Sequence, residues 1–390
     1  MALHNSWDNG CVSPRQMAVN IPSCGCKGQN TCFRCEPFSS TAYEPFVRPQ
    51  DAPSYVFCPL CRLAWPGWDG GSWRSHPHHE GRPLHYPGVD IVLDIISEEE
   101  ERQLMSDIDA IPWDLSQSGR RKQNFGPKTN FNRRKLKMGS FKGFPEFGRR
   151  VQERLTREPV LAGYQTIEQC SLEYRANEGS CISPHIDDCW VWGERVVTLS
   201  LLSDSVLTMV KYTGGQDKYN MTYEPACRYN LPNQPHSTGS PNHEDETKMK
   251  TSVPTENGSG DVSATPNIAN VISSEDSKVS NGGTSGTSIP PSTTAPSAQE
   301  PLLWHQLSRP PTVRLPMPAR SLLVMQAEAR YEWLHGILRS DITGRRVCLA
   351  LREFTPAFMP GGEEEQLGAE VTAQAQCFFT PQTASGEVSA

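Results

Sequence analysis

From Arg346 to Arg352 the chain alternates strictly. Val347, Leu349 and Leu351 are apolar, while Arg346, Cys348, Ala350 and Arg352 fall on the opposite side. Successive side chains of a strand point to opposite faces, so this is a core strand with an arginine at each end of its inward face. An arginine inside a β fold is costly unless an anion meets it, and its planar fork suits a carboxylate. The pattern calls for a β architecture with an interior anion site. Arg346 then faces either a dicarboxylate ligand or a carboxylate of the protein itself.

Other segments agree with a β-rich fold. Runs at 166–175, 194–202, 205–212, 313–317, 321–326 and 345–353 are short, β-branched or aromatic, and bounded by Gly, Pro, Asp and Ser. They predict a β-sandwich, jelly roll or barrel, mainly β with flanking helices (α+β). Val89 to Ile96 reads as a further strand. Ser97 with Glu100 then forms a capping box ahead of a helix to about Ile108.

Composition divides the 390 residues. Residues 1–80 are rich in Cys, Pro, Trp and His and read as a small stapled module, with zinc the candidate staple, or as a loose arm. The compact domain is expected over 85–229 and 301–358. Between Leu231 and Pro301 there is no aromatic residue, and Ser, Thr, Pro, Asn and Gly dominate, so 230–300 is expected to be a disordered insertion. Residues 359–390 suggest a short helix and a polar tail. The formal charge is −7, and the insertion alone holds eight acidic residues against three lysines, which leaves the remainder near neutral. Net charge thus argues neither for nor against nucleic acid. No apolar run approaches the ~18 residues of a membrane span, and no signal pattern opens the chain, so an intracellular protein is expected. In a reducing compartment its cysteines are thiols or metal ligands; Cys227, Cys348 and Cys377, scattered singly, read as small buried residues.

Chemistry concentrates at Ser183-Pro184-His185-Ile186-Asp187-Asp188. His185 and Asp187 stand two apart at the mouth of a predicted strand, where period-two alternation puts both on one face. With a second, distant histidine they would form a facial triad with open coordination positions. His335, in Tyr331-Glu332-Trp333-Leu334-His335-Gly336, is the candidate.

The order His185-x-Asp187, His335, Arg346-x5-Arg352 resembles the AlkB family of 2-oxoglutarate oxygenases. Three stretches carry a narrower match to one subgroup: Cys24-Gly-Cys26 through Cys32-x-x-Cys35-Glu36; Leu115 through Gln123, with Gly126-Pro127-Lys128; and His185-x-Asp187-Asp188-x-Trp190-x-Trp192-Gly193-Glu194. The resemblance implies a double-stranded β-helix (jelly-roll, cupin-like) core, iron(II), 2-oxoglutarate and oxygen, and oxidative removal of an N-methyl group as formaldehyde. It assigns iron to His185, Asp187 and His335, the distal carboxylate of 2-oxoglutarate to Arg346, its metal-binding end to Arg352, and a hydrogen bond to Tyr174. It also implies two substrate classes, monomethyl-lysine on a protein, notably actin, ranked first by a small margin, and N6-methyladenine in DNA, with a location in cytoplasm and nucleus. The chain departs from the wider pattern Arg-x-Asn-x-Thr-x-Arg, having Cys348 and Ala350 in place of Asn and Thr, and Tyr174 stands two residues further from His185 than that pattern has it.

A substrate lid is expected around Arg120, Arg121 and Lys122, with Phe125, Phe131 and Arg133, Arg134, Lys135 and Lys137 following. Such a stretch serves to stack and neutralise a nucleic acid, to dock an acidic protein, or merely as a solvated loop. The cysteines Cys24, Cys26, Cys32 and Cys35, followed by Cys58-Pro59-Leu60-Cys61, offer two CxxC knuckles from which four thiolates would hold one structural zinc; free thiols are the alternative. His76, His78 and His79 could contribute ligands as well, but read first as a solvated turn. Two rival functions are a non-enzymatic adaptor with a relic barrel and a hydroxylase that leaves a stable hydroxyl on a protein.

Overall fold

The computed structural model describes residues 24–26, 30–39, 46, 52–223 and 300–381. But for Glu300, the insertion expected at 230–300 lies outside the described residues, as do Cys227 and the last residues of the tail.

Every run singled out as β forms a strand: Glu168–Tyr174, Trp192–Leu201, Ser205–Lys211, Thr312–Met317, Leu322–Met325 and Arg346–Phe354. They assemble into two large sheets. The first has the order Ile182–His185, Trp333–Ile337, Ser205–Lys211, Thr312–Met317, Ser54–Cys58, Leu63–Pro66, Leu84–His85, Leu302–Leu303. The second runs Val89–Val92, Leu322–Met325, Trp192–Leu201, Arg346–Phe354, Glu168–Tyr174, Arg121–Phe125, Asp114–Leu115. Side chains from both, among them Tyr174, Val196 and Cys348 of the second sheet and Leu207, Met209, Val313, Leu315 and Ile337 of the first, pack into one core. This is a double-stranded β-helix with flanking helices.

The Arg346–Phe354 strand shows what the alternation achieves. Val347, Leu349 and Leu351 are fully buried on the outer face of their sheet, against Leu104, Met105 and Ile108 of the helix Glu98–Asp109 and Phe147 and Val151 of the helix Glu146–Leu155. Each such side chain contributes about 1.5–3 kcal/mol by leaving water. The opposite face is thereby turned into the space between the sheets. The first helix starts as expected: Ser97 Oγ accepts from Glu100 N at 3.2 Å, and the Glu100 carboxylate accepts from Ser97 N at 2.7 Å.

Two expectations change. Cys377, read as a small buried residue, is exposed. Residues up to about 80 were expected as a separate module, yet Ser54–Cys58 lies parallel to Thr312–Met317, with Ser54 opposite Thr312, and so belongs to the first sheet. All five of its residues are buried, and a strand covered on both faces shows no alternation to betray it. The short helix expected after residue 359 is present as Glu365–Ala375, and it also packs into the protein, burying Val371 and Ala375 against Phe144, Phe354 and Phe358.

Candidate active site

The Ile182–His185 strand ends on the first histidine, and the antiparallel Trp333–Ile337 strand places His335 directly opposite it. The ring centroids lie 4.3 Å apart. Gly336 makes the approach possible, because a Cβ there would stand 2.9 Å from both Ile182 O and Pro184 N. Asp187 lies beyond the strand, so period-two alternation does not aim it as expected. A loop does so, held from behind by the fully buried Arg330, whose guanidinium donates to the carbonyls of Asp187 (2.9 Å), Trp192 (3.1 Å), Asp188 (3.3 Å) and Gly193 (3.3 Å). Glu194 fixes the other side of Arg330's short helix by accepting from Ala327 N at 2.5 Å.

The ligand atoms of His185, Asp187 and His335 come within 4.8 Å of one another. His185 Nδ1 sits 3.0 Å from Ser183 O, and its Nε2 is 3.9 Å from Asp187 Oδ1. Arg352 donates to that same Oδ1 at 3.0 Å, while Asp187 Oδ2 and His335 Nδ1 are buried with no hydrogen-bond partner among the described residues. Burial holds both imidazoles below their ordinary pKa, and for His335 the neighbouring His185 adds to it. Both are therefore neutral at pH 7, with a lone pair to give. Burial would raise the Asp187 carboxyl, but the Arg352 guanidinium outweighs it and holds the group well below the usual carboxylate range. Two imidazoles and an ionised carboxylate on one point form the donor set of a non-haem iron site.

Arg346 opens onto the same cavity, together with Tyr174, Met317, Cys348 and Ala350. It is fully buried. Among the described residues its Nη2 reaches only Ser200 Oγ (3.4 Å) and Met317 Sδ (3.6 Å), and Nε and Nη1 have no partner. Among the described residues no carboxylate pairs with it, which favours the ligand over the protein carboxylate as its anion. Tyr174 stands opposite Arg346 in register, and the guanidinium carbon lies 5.0 Å from the centre of its ring. Arg352 has a second duty that the sequence did not suggest: it also binds Glu168 at 2.7 Å, so it holds Asp187 in place as well as facing the cavity.

Outside the metal cluster lies a pocket of about 800 Å3, lined by Arg120, Lys122, Phe131, Asp217, Tyr219 and Asn220 among others. Strand alternation splits the expected lid. Arg121 points the other way and is paired with the buried Glu173, 2.7 Å from its Nη2, and lies over Trp113. Phe125 packs against Phe147 in the interior. Of the aromatic residues expected in the lid, only Phe131 remains at the pocket, 44% exposed.

The chain belongs to the AlkB family of 2-oxoglutarate-dependent dioxygenases. The relative named alpha-ketoglutarate-dependent dioxygenase alkB homolog 4 in Homo sapiens is 34% identical over 358 residues, covering 92% of this chain and 95% of its own. Its Mus musculus counterpart matches at the same identity and coverage. A DNA N6-methyl adenine demethylase of Caenorhabditis elegans is 26% identical, over 90% of this chain and 93% of its own. No family model matches. The solved structure of OsALKBH1 aligns over 69% of this chain and 99% of its own, at 8% identity and a TM-score of 0.33, too slight a likeness to carry an argument. As a member of the family the protein is an iron(II)- and 2-oxoglutarate-dependent oxygenase, and the donor set and the unpaired Arg346 fit both cofactors.

Cys24, Cys26, Cys32 and Cys35 also come together, with 3.8 Å between the sulfurs of Cys32 and Cys35. Their knuckle is fastened beside the metal strand: Ser183 Oγ donates to Asn30 Oδ1 (2.6 Å), and Arg339 donates to Thr31 O and Glu36 (2.8 Å each). Cys58 and Cys61 do not join them, so a single site built from two CxxC knuckles is not what the fold provides.

The sequence reading missed Arg330 and Glu168. Arg330 looks like an ordinary helix-surface charge, and no local pattern distinguishes a guanidinium that will meet four distant carbonyls. Glu168 opens the strand Glu168–Tyr174 with nothing in the local pattern to mark its partner.

Proposed function

We propose that the enzyme oxidatively removes N-methyl groups, with iron(II) on His185, Asp187 and His335 and the distal carboxylate of 2-oxoglutarate on Arg346. The observation that carries this is the buried guanidinium of Arg346, without an acidic partner among the described residues, sharing one cavity with the three metal donors. Oxygen, with iron and with 2-oxoglutarate as the co-reductant, would supply the oxidising power; the protein supplies orientation and exclusion of water. Arg346 gives two parallel hydrogen bonds to a carboxylate. Arg352 keeps Asp187 ionised and aimed, and neutral His185 and His335 keep their lone pairs available. The 800 Å3 pocket admits the substrate to the open side of the cluster.

The substrate class we favour is a methylated nucleobase, N6-methyladenine in DNA. The reason is the hairpin Lys128–Asn130/Lys135–Lys137 beside the pocket, which exposes Lys128, Arg133, Arg134, Lys135 and Lys137 around a buried Leu136. It even sets Lys128 directly opposite Lys137, a like-charge pair that costs stability unless an anion lies on it. Phosphates meet that need, and Phe131 and Tyr219 offer stacking faces for an extruded base. This reverses the narrow order the sequence suggested. Monomethyl-lysine on a protein such as actin is the second reading, favoured by Asp188 and Asp217 in the same pocket, which suit a cation. We place the protein in cytoplasm and nucleus, the first to reach a protein such as actin and the second to reach DNA. The four-cysteine knuckle we take as a structural zinc site.

The test is formaldehyde release by iron-loaded protein with 2-oxoglutarate, given N6-methyladenine DNA or a monomethyl-lysine actin peptide, with His185→Ala as control. DNA binding should weaken with salt, and Arg120→Ala and Lys122→Ala should each lower the slope by about 1, whereas Arg121→Ala should leave it unchanged. Formaldehyde from the peptide alone reverses the ranking. Succinate without formaldehyde from either points to hydroxylation, and neither product favours the adaptor.

A further inference from the structure

We infer that Cys58, Cys61, His76 and His79 form a second structural zinc site, separate from the Cys24–Cys35 knuckle. The four ligand atoms lie within 4.8 Å of one another. In a tetrahedral zinc site with bonds of about 2.0–2.3 Å the donors stand roughly 3.3–3.8 Å apart, so small side-chain rotations bring these four onto one ion. The pairs are built for it. Cys58 closes the Ser54–Cys58 strand, Cys61 lies in the turn leading to Leu63–Pro66, and Arg62 N donates to Cys58 O at 2.8 Å to tighten that turn. His76 and His79 follow the short helix Ser72–Ser75.

The imidazoles are not the solvated turn expected from sequence. His78 is exposed, but His76 Nδ1 and His79 Nε2 are buried with no hydrogen-bond partner among the described residues, which is costly in a site that nothing else completes. Trp65 completes the surroundings. Its ring stacks on His79 at 4.7 Å between centroids, and its Nε1 donates to Cys61 Sγ at 3.3 Å. An N–H aimed at a sulfur stabilises a thiolate, the form that binds metal, and a partner shell that orients ligands is the mark of a built site. Two thiolates and two imidazoles leave no position open, so the site is structural rather than catalytic. It ties residues 72–79 to a hairpin whose first strand pairs with Thr312–Met317, within the same sheet as His335.

The inference is independent of the dioxygenase reaction, and its test uses no activity. The full chain is prepared in a His185→Ala/His335→Ala background, which removes the third metal cluster, and zinc is counted by mass spectrometry and its shell read by X-ray absorption. Two zincs per chain are expected, with an average shell of three sulfurs and one nitrogen. Adding His76→Ala and His79→Ala should leave one zinc with four sulfurs. One zinc per chain with an all-sulfur shell before those substitutions would overturn the site, and that measurement holds even where the histidine variants fail to fold.

Discussion

Replacing Arg346 by methionine should stabilise the ligand-free protein and at the same time abolish its response to 2-oxoglutarate. Arg346 is fully buried, with only Ser200 Oγ and Met317 Sδ within reach of its Nη2. A buried charge stripped of its partner typically costs about 3–5 kcal/mol. The two neutral contacts return about 1 kcal/mol at these lengths. Methionine, similar in reach and apolar, relieves the difference, roughly 2–4 kcal/mol, or about 5–15 °C in Tm for a domain of this size. The same change removes two charge-assisted bonds to the cosubstrate, each worth about 1.5–3 kcal/mol, and so weakens 2-oxoglutarate by roughly 100-fold or more. At a concentration 100 times the parent Kd, 2-oxoglutarate adds about 2.7 kcal/mol to the parent but no more than about 0.4 kcal/mol to the variant. Thermal unfolding with manganese(II) in place of iron, with and without 2-oxoglutarate, reads both effects without turnover. A variant that melts below the parent without cosubstrate, or that keeps the parent's shift with it, would refute the claim that Arg346 awaits an anion.

Arg330→Met works in the opposite direction: it leaves the carbonyls of Asp187, Asp188, Trp192 and Gly193 without their shared donor and should cost about 3–5 kcal/mol, seen as a lower denaturant midpoint. The loop carrying Asp187 should loosen with it, so metal affinity, read by titration, falls more than in a core variant of equal stability loss such as Leu349→Ala. Glu173, fully buried, is raised by burial, but Arg121 and Arg345 outweigh this and hold it below its ordinary range. A depressed carboxyl contributes stability present above the unfolded value near 4.3 and lost as pH falls through the folded value. Glu173→Gln should therefore cost about 1–3 kcal/mol at pH 7, and the gap to the parent should narrow as the pH falls below the unfolded value near 4.3; a gap constant with pH would count against the ion pairs as its source.

The sequence by itself determined what local pattern can carry. The alternation from Arg346 to Arg352 settled which face of one strand is apolar and which bears the arginines, because a strand's side chains have no other choice; the Ser97–Glu100 box settled where a helix begins, because its bonds close within one turn. Three donors of the right chemistry were legible as types at positions 185, 187 and 335. Tertiary structure alone decided how they meet. The register that sets His185 opposite His335 is fixed by the pairing of strands far apart in the chain, and the aim of Asp187 by the distant donors Arg330 and Arg352. Ser54–Cys58 carried no alternation to reveal that it would enter the main sheet, and the partition of the cysteines into two clusters, with His76 and His79 drawn to one of them, depends on which hairpin each lies on. Local propensity is written in neighbours along the chain, whereas a site is made by residues whose proximity only the packed sheets create.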